Sequence, residues 1–186
     1  MSADPIGEMI HGYFTSTAKA ISTLFEHELL GHMLILIYSA LDTCGLLDAP
    51  PEQEQATSGS FKSWVTKYLL PNSDDDFDAV DLWAARCAVL HTFTSESNLS
   101  RSGSARELQY YTGDKSAPHI QRFITFTKGY QGGKHLPVHL GDFCGAALKA
   151  MMAFVPDLEA NCASSSRHAA RLRKVIQMHV NDAAAP

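Results

Sequence analysis

Arg86 and His91 are separated by four residues in the run RCAVLH. Histidine changes charge near neutrality, and arginine is a permanent planar cation. Held together, such a pair can break a phosphodiester without a metal. The imidazole takes a proton from an attacking hydroxyl or returns one to the departing oxygen, while the guanidinium offsets charge on the phosphorane. Spacing alone is a weak signal, because Arg173 and His179 make a similar pair near the C-terminus. Context separates the two. Arg86 and His91 share a segment with Trp83, Val89 and Leu90 that opens into a polar loop, where a charged group is least expected without a task. The alternative role for the pair is structural, satisfying buried carbonyls or carboxylates.

Other candidate motifs fail on geometry. In HELLGH the two histidines, His27 and His32, are five residues apart, so on a helix they diverge by about 140° and cannot share a zinc ion. His135 and His139 flank Pro137 in a segment expected to be extended, which separates them by roughly 13 Å and makes them surface or hairpin histidines. Cys44, Cys87, Cys144 and Cys162 form no CxxC pair, so neither a zinc knuckle nor a dithiol redox motif is present. There is no GxSxG elbow, and GYQGGKH lacks the first glycine and the hydroxyl residue of a phosphate-binding loop. Arg167, Arg171 and Lys174 read as the solvated face of a terminal helix, opposite Leu172, Val175, Ile176 and His179. No cofactor and no metal are expected.

The elements that must position Arg86 and His91 follow from periodicity. Residues 14–47 contain no proline and carry apolar residues at spacings of three and four, which predicts one long helix. Its second half, MLILIYSAL, is apolar on nearly every face and must be enclosed by other helices or by a second subunit. After the loop DAPPEQEQATSGS, the run SFKSWVTKYLLP predicts a short helix ended by Pro71. Asp74, Asp75 and Asp76 suit the N-cap of a third helix, whose inward row is Phe77, Val80, Ala84, Cys87 and His91. A helical turn is expected at 105–111. Alternation in IQRFITF and HLPVHL around GYQGG predicts a β-hairpin. Residues 143–154 predict a helix ended by Pro156, and 164–180 a last amphipathic helix.

With 186 residues, 45% of them hydrophobic and 19% charged, the chain has the composition of one globular domain spanning 1–186. A net charge of −5 supplies no global attraction for nucleic acid, so any such contact must be local. The N-terminus lacks a basic segment followed by an apolar one, and the most apolar run is too short to cross a bilayer, so a cytoplasmic protein with reduced thiols and no membrane association is expected.

The run SFKSWVTKYLLP, the acidic loop after it, and DLWAARCAVLHTFTSESNLSRSG resemble small prokaryotic proteins of the HEPN superfamily, with YSALDTCG closing the central helix before them. The likeness covers most of residues 14–154. It implies an α-helical bundle with a small β-hairpin insertion, paired as a homodimer so that two R-x4-6-H motifs face one cleft. It also implies a metal-independent endoribonuclease, often a toxin with a cognate antitoxin or a phage-defence effector. Arg86 would then hold phosphate and His91 would act as acid and base, with Arg101 and Arg106 as further phosphate contacts of the RNA substrate. The sequence departs from the pattern at Cys87, where RNA-cleaving members often carry Asn, Asp or His. A noncatalytic dimerisation or ligand-binding module is the alternative, since several members of the superfamily are of that kind.

Overall fold

The computed structural model describes residues 5–92 and 94–175, and most of them are helical. Helix α1 (Pro5–Glu26) and helix α2 (Leu30–Asp48) replace the single long helix that the periodicity predicts. The chain breaks at Glu28, whose φ of 55° is left-handed. Two bonds close the end of α1, from Leu29 N to Leu24 O at 2.8 Å and from Glu28 N to Phe25 O at 3.0 Å. This is the Schellman arrangement that glycine usually terminates. A glutamate at that position hides the stop from any reading that looks for glycine.

Helix α2 lies at the centre, against α1, α3 (Ser58–Trp64), α4 (Ala79–Thr92), α7 (Leu140–Ser164) and α8 (Ser166–Val175). Met33, Leu34, Ile37, Tyr38 and Leu41 are buried within the one chain, while Ile35 on the same helix is exposed. It is long and apolar enough by composition to cross a membrane, yet it serves here as the core helix. Around it close Trp64, Phe61, Phe143 and Phe154, all essentially inaccessible. Gly45 brings the α2 and α3 backbones together: a Cβ there would meet Ser60 O and Phe61 Cα at 3.0 Å.

Thr57 and Ser60 form a reciprocal capping box that starts α3, which runs on through a π-turn (Val65–Leu69) and a 3-10 turn (Leu70–Asn72) containing Pro71. Helix α4 is capped by Asp78 instead of the expected Asp74–Asp76 group. Asp78 Oδ1 accepts from Val80 N at 2.7 Å and Asp81 N at 2.9 Å, and Asp81 Oδ2 accepts from Asp78 N in return. A short α5 (Asn98–Arg101) follows, itself started by a Ser97–Ser100 capping box.

The expected hairpin is absent. Strand β1 (Glu107–Tyr111) occupies the segment expected to hold a helical turn, and it pairs in parallel with β2 (His135–His139), Leu108 opposite Leu136 and Tyr110 opposite Val138. Between them residues 118–129 form helix α6 (Pro118–Gly129), so the unit is a β-α-β crossover. Ile120, Phe123, Ile124 and Thr127 are the inward positions of α6, at helical spacing. Pro118 at its first turn was the available sign of a helix. The β2 segment is extended as expected. Helix α7 does not stop at Pro156 but continues to Ser164. Met152 and Pro156 both lie on its exposed face, where water can satisfy the carbonyl that proline leaves free.

Helix α8 ends the described residues, so His179 and Ile176 lie outside them. Arg171 is not on a solvated face. It is buried, and its guanidinium donates from Nη1 to Leu46 O and Ala49 O, both at 2.7 Å, and from Nη2 to Pro50 O. It thereby adds a charged donor to carbonyls at the C-terminal end of α2, where Leu46 O also accepts from Ala49 N and Ala49 O lies 3.2 Å from His168 Nε2. Burial holds its charge below the ordinary arginine range.

Candidate functional site

Helix α4 carries both Arg86 and His91, and α2 supplies the residue that orients them. Arg86 Nε donates to Asp42 Oδ2 at 2.7 Å, and Nη2 donates to the same oxygen. The third nitrogen, Nη1, faces His91 Nε2 at 3.5 Å. The guanidinium also lies 5.0 Å from the ring of Trp83, which packs on Phe61 of α3. Arg86 is thus held on three sides, by a carboxylate, an aromatic face and an imidazole. Burial works against its charge, but the bonds to Asp42 outweigh burial and leave the group firmly protonated. The other carboxylate oxygen, Asp42 Oδ1, is buried without a hydrogen-bond partner.

His91 is exposed at the end of α4 and forms one wall of a cleft of about 390 Å³, lined also by Cys87, Glu96, Ser97, Asn98 and Arg101. The polar loop after α4 and the capped turn of α5 build the opposite wall. Arg86 is behind His91 and not in the wall itself. Arg101 faces the cleft, where its guanidinium bonds to Asn98 Oδ1 and lies 3.6 Å from Glu96. Positive charge in the cleft is therefore partly balanced by Glu96. Chemically, the arrangement offers an accessible imidazole with a fixed cation at its back and a second cation across a polar hollow.

Arg106 is not brought to this cleft. Its Nε and Nη2 donate to Asp81 Oδ2 at 2.9 and 2.6 Å, and its backbone N–H donates to Asp81 Oδ1 at 2.6 Å. Nη2 also donates to Asp76 O. Asp81 is almost fully buried in the first turn of α4, so Arg106 pins the start of β1 to that turn instead of waiting for a ligand. His135 and His139 share one face of β2 but serve separate neighbours: Gln109 lies against His135 Nδ1, and His139 Nδ1 accepts from Asp142 N to cap α7. Among the described residues no group of three or more His, Cys, Asp or Glu is placed to hold a metal. All four cysteines are free thiols, three of them buried.

Asp42 is the residue that reading for motifs misses. Its signal was present in YSALDTCG, a single carboxylate in a stretch with no other charge. Such a group is seldom enclosed without a cationic partner. Glu96, Ser97 and Asn98 gave no comparable sign. No family model, no curated protein and no solved structure matches this chain.

Proposed function

We propose that this chain is a metal-independent endoribonuclease of the HEPN type, acting in the cytoplasm as a homodimer, with a toxin or phage-defence role and a cognate antitoxin. The observation that carries the reading is the convergence of Arg86 Nη1 and His91 Nε2 at the edge of an accessible cleft that also holds Arg101. In this chemistry His91 takes the proton of a ribose 2′-hydroxyl. The freed oxygen attacks the adjacent phosphorus, the P–O5′ bond breaks, and the 5′-oxygen leaves with the proton that the His91 imidazolium returns to it, giving a 2′,3′-cyclic phosphate. Arg86 and Arg101 offset the charge that develops on phosphorus. Exposed Phe25, Leu29 and Ile35 around the start of α2 supply apolar surface for a subunit contact.

One observation favours a second reading, a noncatalytic dimerisation or ligand-binding module: the charge of Arg86 is already met by Asp42. End-labelled RNA incubated with the protein in EDTA decides between them. The enzyme reading expects cleavage that falls by about 10²- to 10⁴-fold in His91→Ala. Because His91 is exposed and makes one long contact with Arg86, that variant should keep the wild-type melting temperature. Equal cleavage by wild type and His91→Ala would assign the activity elsewhere. Absence of cleavage, with His91→Ala melting at a clearly lower temperature, would favour the module.

A further inference from the structure

The chain is acidic as a whole, yet residues 115–141 contain Lys115, Arg122, Lys128 and Lys134 and not one Asp or Glu. The remaining 11 Lys and Arg are set against 20 Asp and Glu elsewhere. This cationic stretch is the loop, helix α6 and turn that connect the two strands. Arg122, Lys128 and Lys134 are exposed and make no ion pair among the described residues. Two aromatic rings stand on the side of α6 that carries Arg122, one turn before Phe126, while Lys128 projects from the opposite flank of the helix. Phe126 is 66% exposed and Tyr130 44%, and their centroids are 5.3 Å apart with the planes tilted by 32°. Tyr130 in turn lies 4.8 Å from the ring of His135. A hollow lined by Gln121, Arg122, Thr125 and Phe126 adjoins the outer ring.

Folding gains little from leaving Phe126 in water, and the inward row of α6 already covers the sheet. An exposed ring pair flanked by cations that make no ion pair among the described residues, with the Glu107 carboxylate drawn toward His135 behind Tyr130, matches the chemistry of a flexible polyanion carrying flat, unpaired bases. Bases stack on the rings, a phosphate beside them meets Arg122, and the strand continuing over the helix meets Lys128 on its flank. An acidic protein would satisfy the cations but would have no special use for the open aromatic face.

We infer that the outward face of α6, centred on Phe126, Tyr130 and Arg122 with Lys128 on its flank, binds single-stranded RNA. The choice of RNA over DNA rests on the ribonuclease reading. The surface itself shares no residue with the His91 cleft, so binding and cleavage can fail separately.

The test is fluorescence anisotropy with labelled U20, using full-length protein carrying His91→Ala so that the probe stays intact. In that background Phe126→Ala should weaken binding about 5- to 150-fold, the range expected for losing one stacked base. Arg122→Glu with Lys128→Glu should weaken it further and flatten the salt dependence by about 0.7 log units per log unit of salt for each phosphate that the variant no longer neutralises. All three side chains are exposed, so circular dichroism should be unchanged. The inference is overturned if U20 does not bind at micromolar protein, if Phe126→Ala binds equally well, if a 20-base-pair duplex or a polyglutamate peptide competes as strongly as U20, or if dT20 binds more tightly. Binding that needs Phe126 in a protein that cleaves nothing would uphold this surface while rejecting the ribonuclease reading.

Discussion

Replacing Arg86 with Met tests how much of the candidate site is also scaffold. The guanidinium and the Asp42 carboxylate are 18% and 13% exposed, and two nitrogens converge on one oxygen. Removing the cation leaves Asp42 enclosed with both oxygens unpartnered, since Oδ1 already has no hydrogen bond. Breaking a fully buried pair costs about 3–5 kcal/mol, and residual exposure with water entry reduces this to about 2–3 kcal/mol. For a chain of this size the melting temperature should fall by about 4–12 °C. Asp42→Asn alone should cost less, because an amide tolerates burial better than an unpaired carboxylate. The double variant should be less destabilised than the sum of the two, giving a coupling of about 1–3 kcal/mol in a urea-denaturation cycle. Independent additivity, or an Arg86→Met protein within about 0.5 kcal/mol of wild type, would refute the claim that Asp42 and Arg86 support each other. A consequence for function follows. Loss of cleavage in Arg86→Met mixes instability with lost charge stabilisation, whereas His91→Ala isolates the chemistry.

Arg171→Met should destabilise by about 2–3 kcal/mol, because three carbonyls at the end of α2 lose a charged donor and only Ala49 N and His168 remain beside two of them; a urea midpoint unchanged from wild type would refute this. Gly45→Ala should cost about 1–3 kcal/mol, since the added carbon meets the α3 backbone and not a movable side chain, and thermal melting measures it. Glu28→Gly should be neutral or stabilising by up to about 1 kcal/mol, relieving the left-handed residue at the end of α1, while Glu28→Val should lower stability in the same assay.

Much of the local structure is legible in the sequence because it depends on neighbours a few residues apart. The apolar run of α2 marks the core helix through its composition alone. The turn of polar residues after His91 and the extended HLPVH segment follow from the same short-range rules, but the row expected to face inward along α4 does not: Leu82, Ala85, Ala88 and Val89 are buried, while Cys87 and His91 turn to the cleft. Arg86 and His91 could be placed on one element with an open loop beside them. The expected hairpin shows the limit: IQRFITF supports two periods, and alternation of β-formers was the wrong one. Which period wins depends on whether Ile120, Phe123 and Ile124 have a sheet to cover, and that sheet exists only once residues 107–111 and 135–139 meet.

Tertiary structure alone decided the partners of charged side chains. Arg86 finds Asp42 across 44 residues, Arg106 finds Asp81 across 25, and Arg171 finds carbonyls more than 120 residues earlier. A cation's sequence position says only that it can pair, so Arg101 and Arg106 looked alike until the fold left one at the cleft and engaged the other. Electrostatic pairing and strand pairing both join distant segments and are selected by which surfaces the packed helices bring together. Helical periodicity is a property of one segment at a time. For that reason the central helix and the Arg86–His91 pair could be read along the chain, while the identity of α6 as a helix, the orientation of Arg86, the burial of Arg171 and the cationic face of α6 appear only in three dimensions.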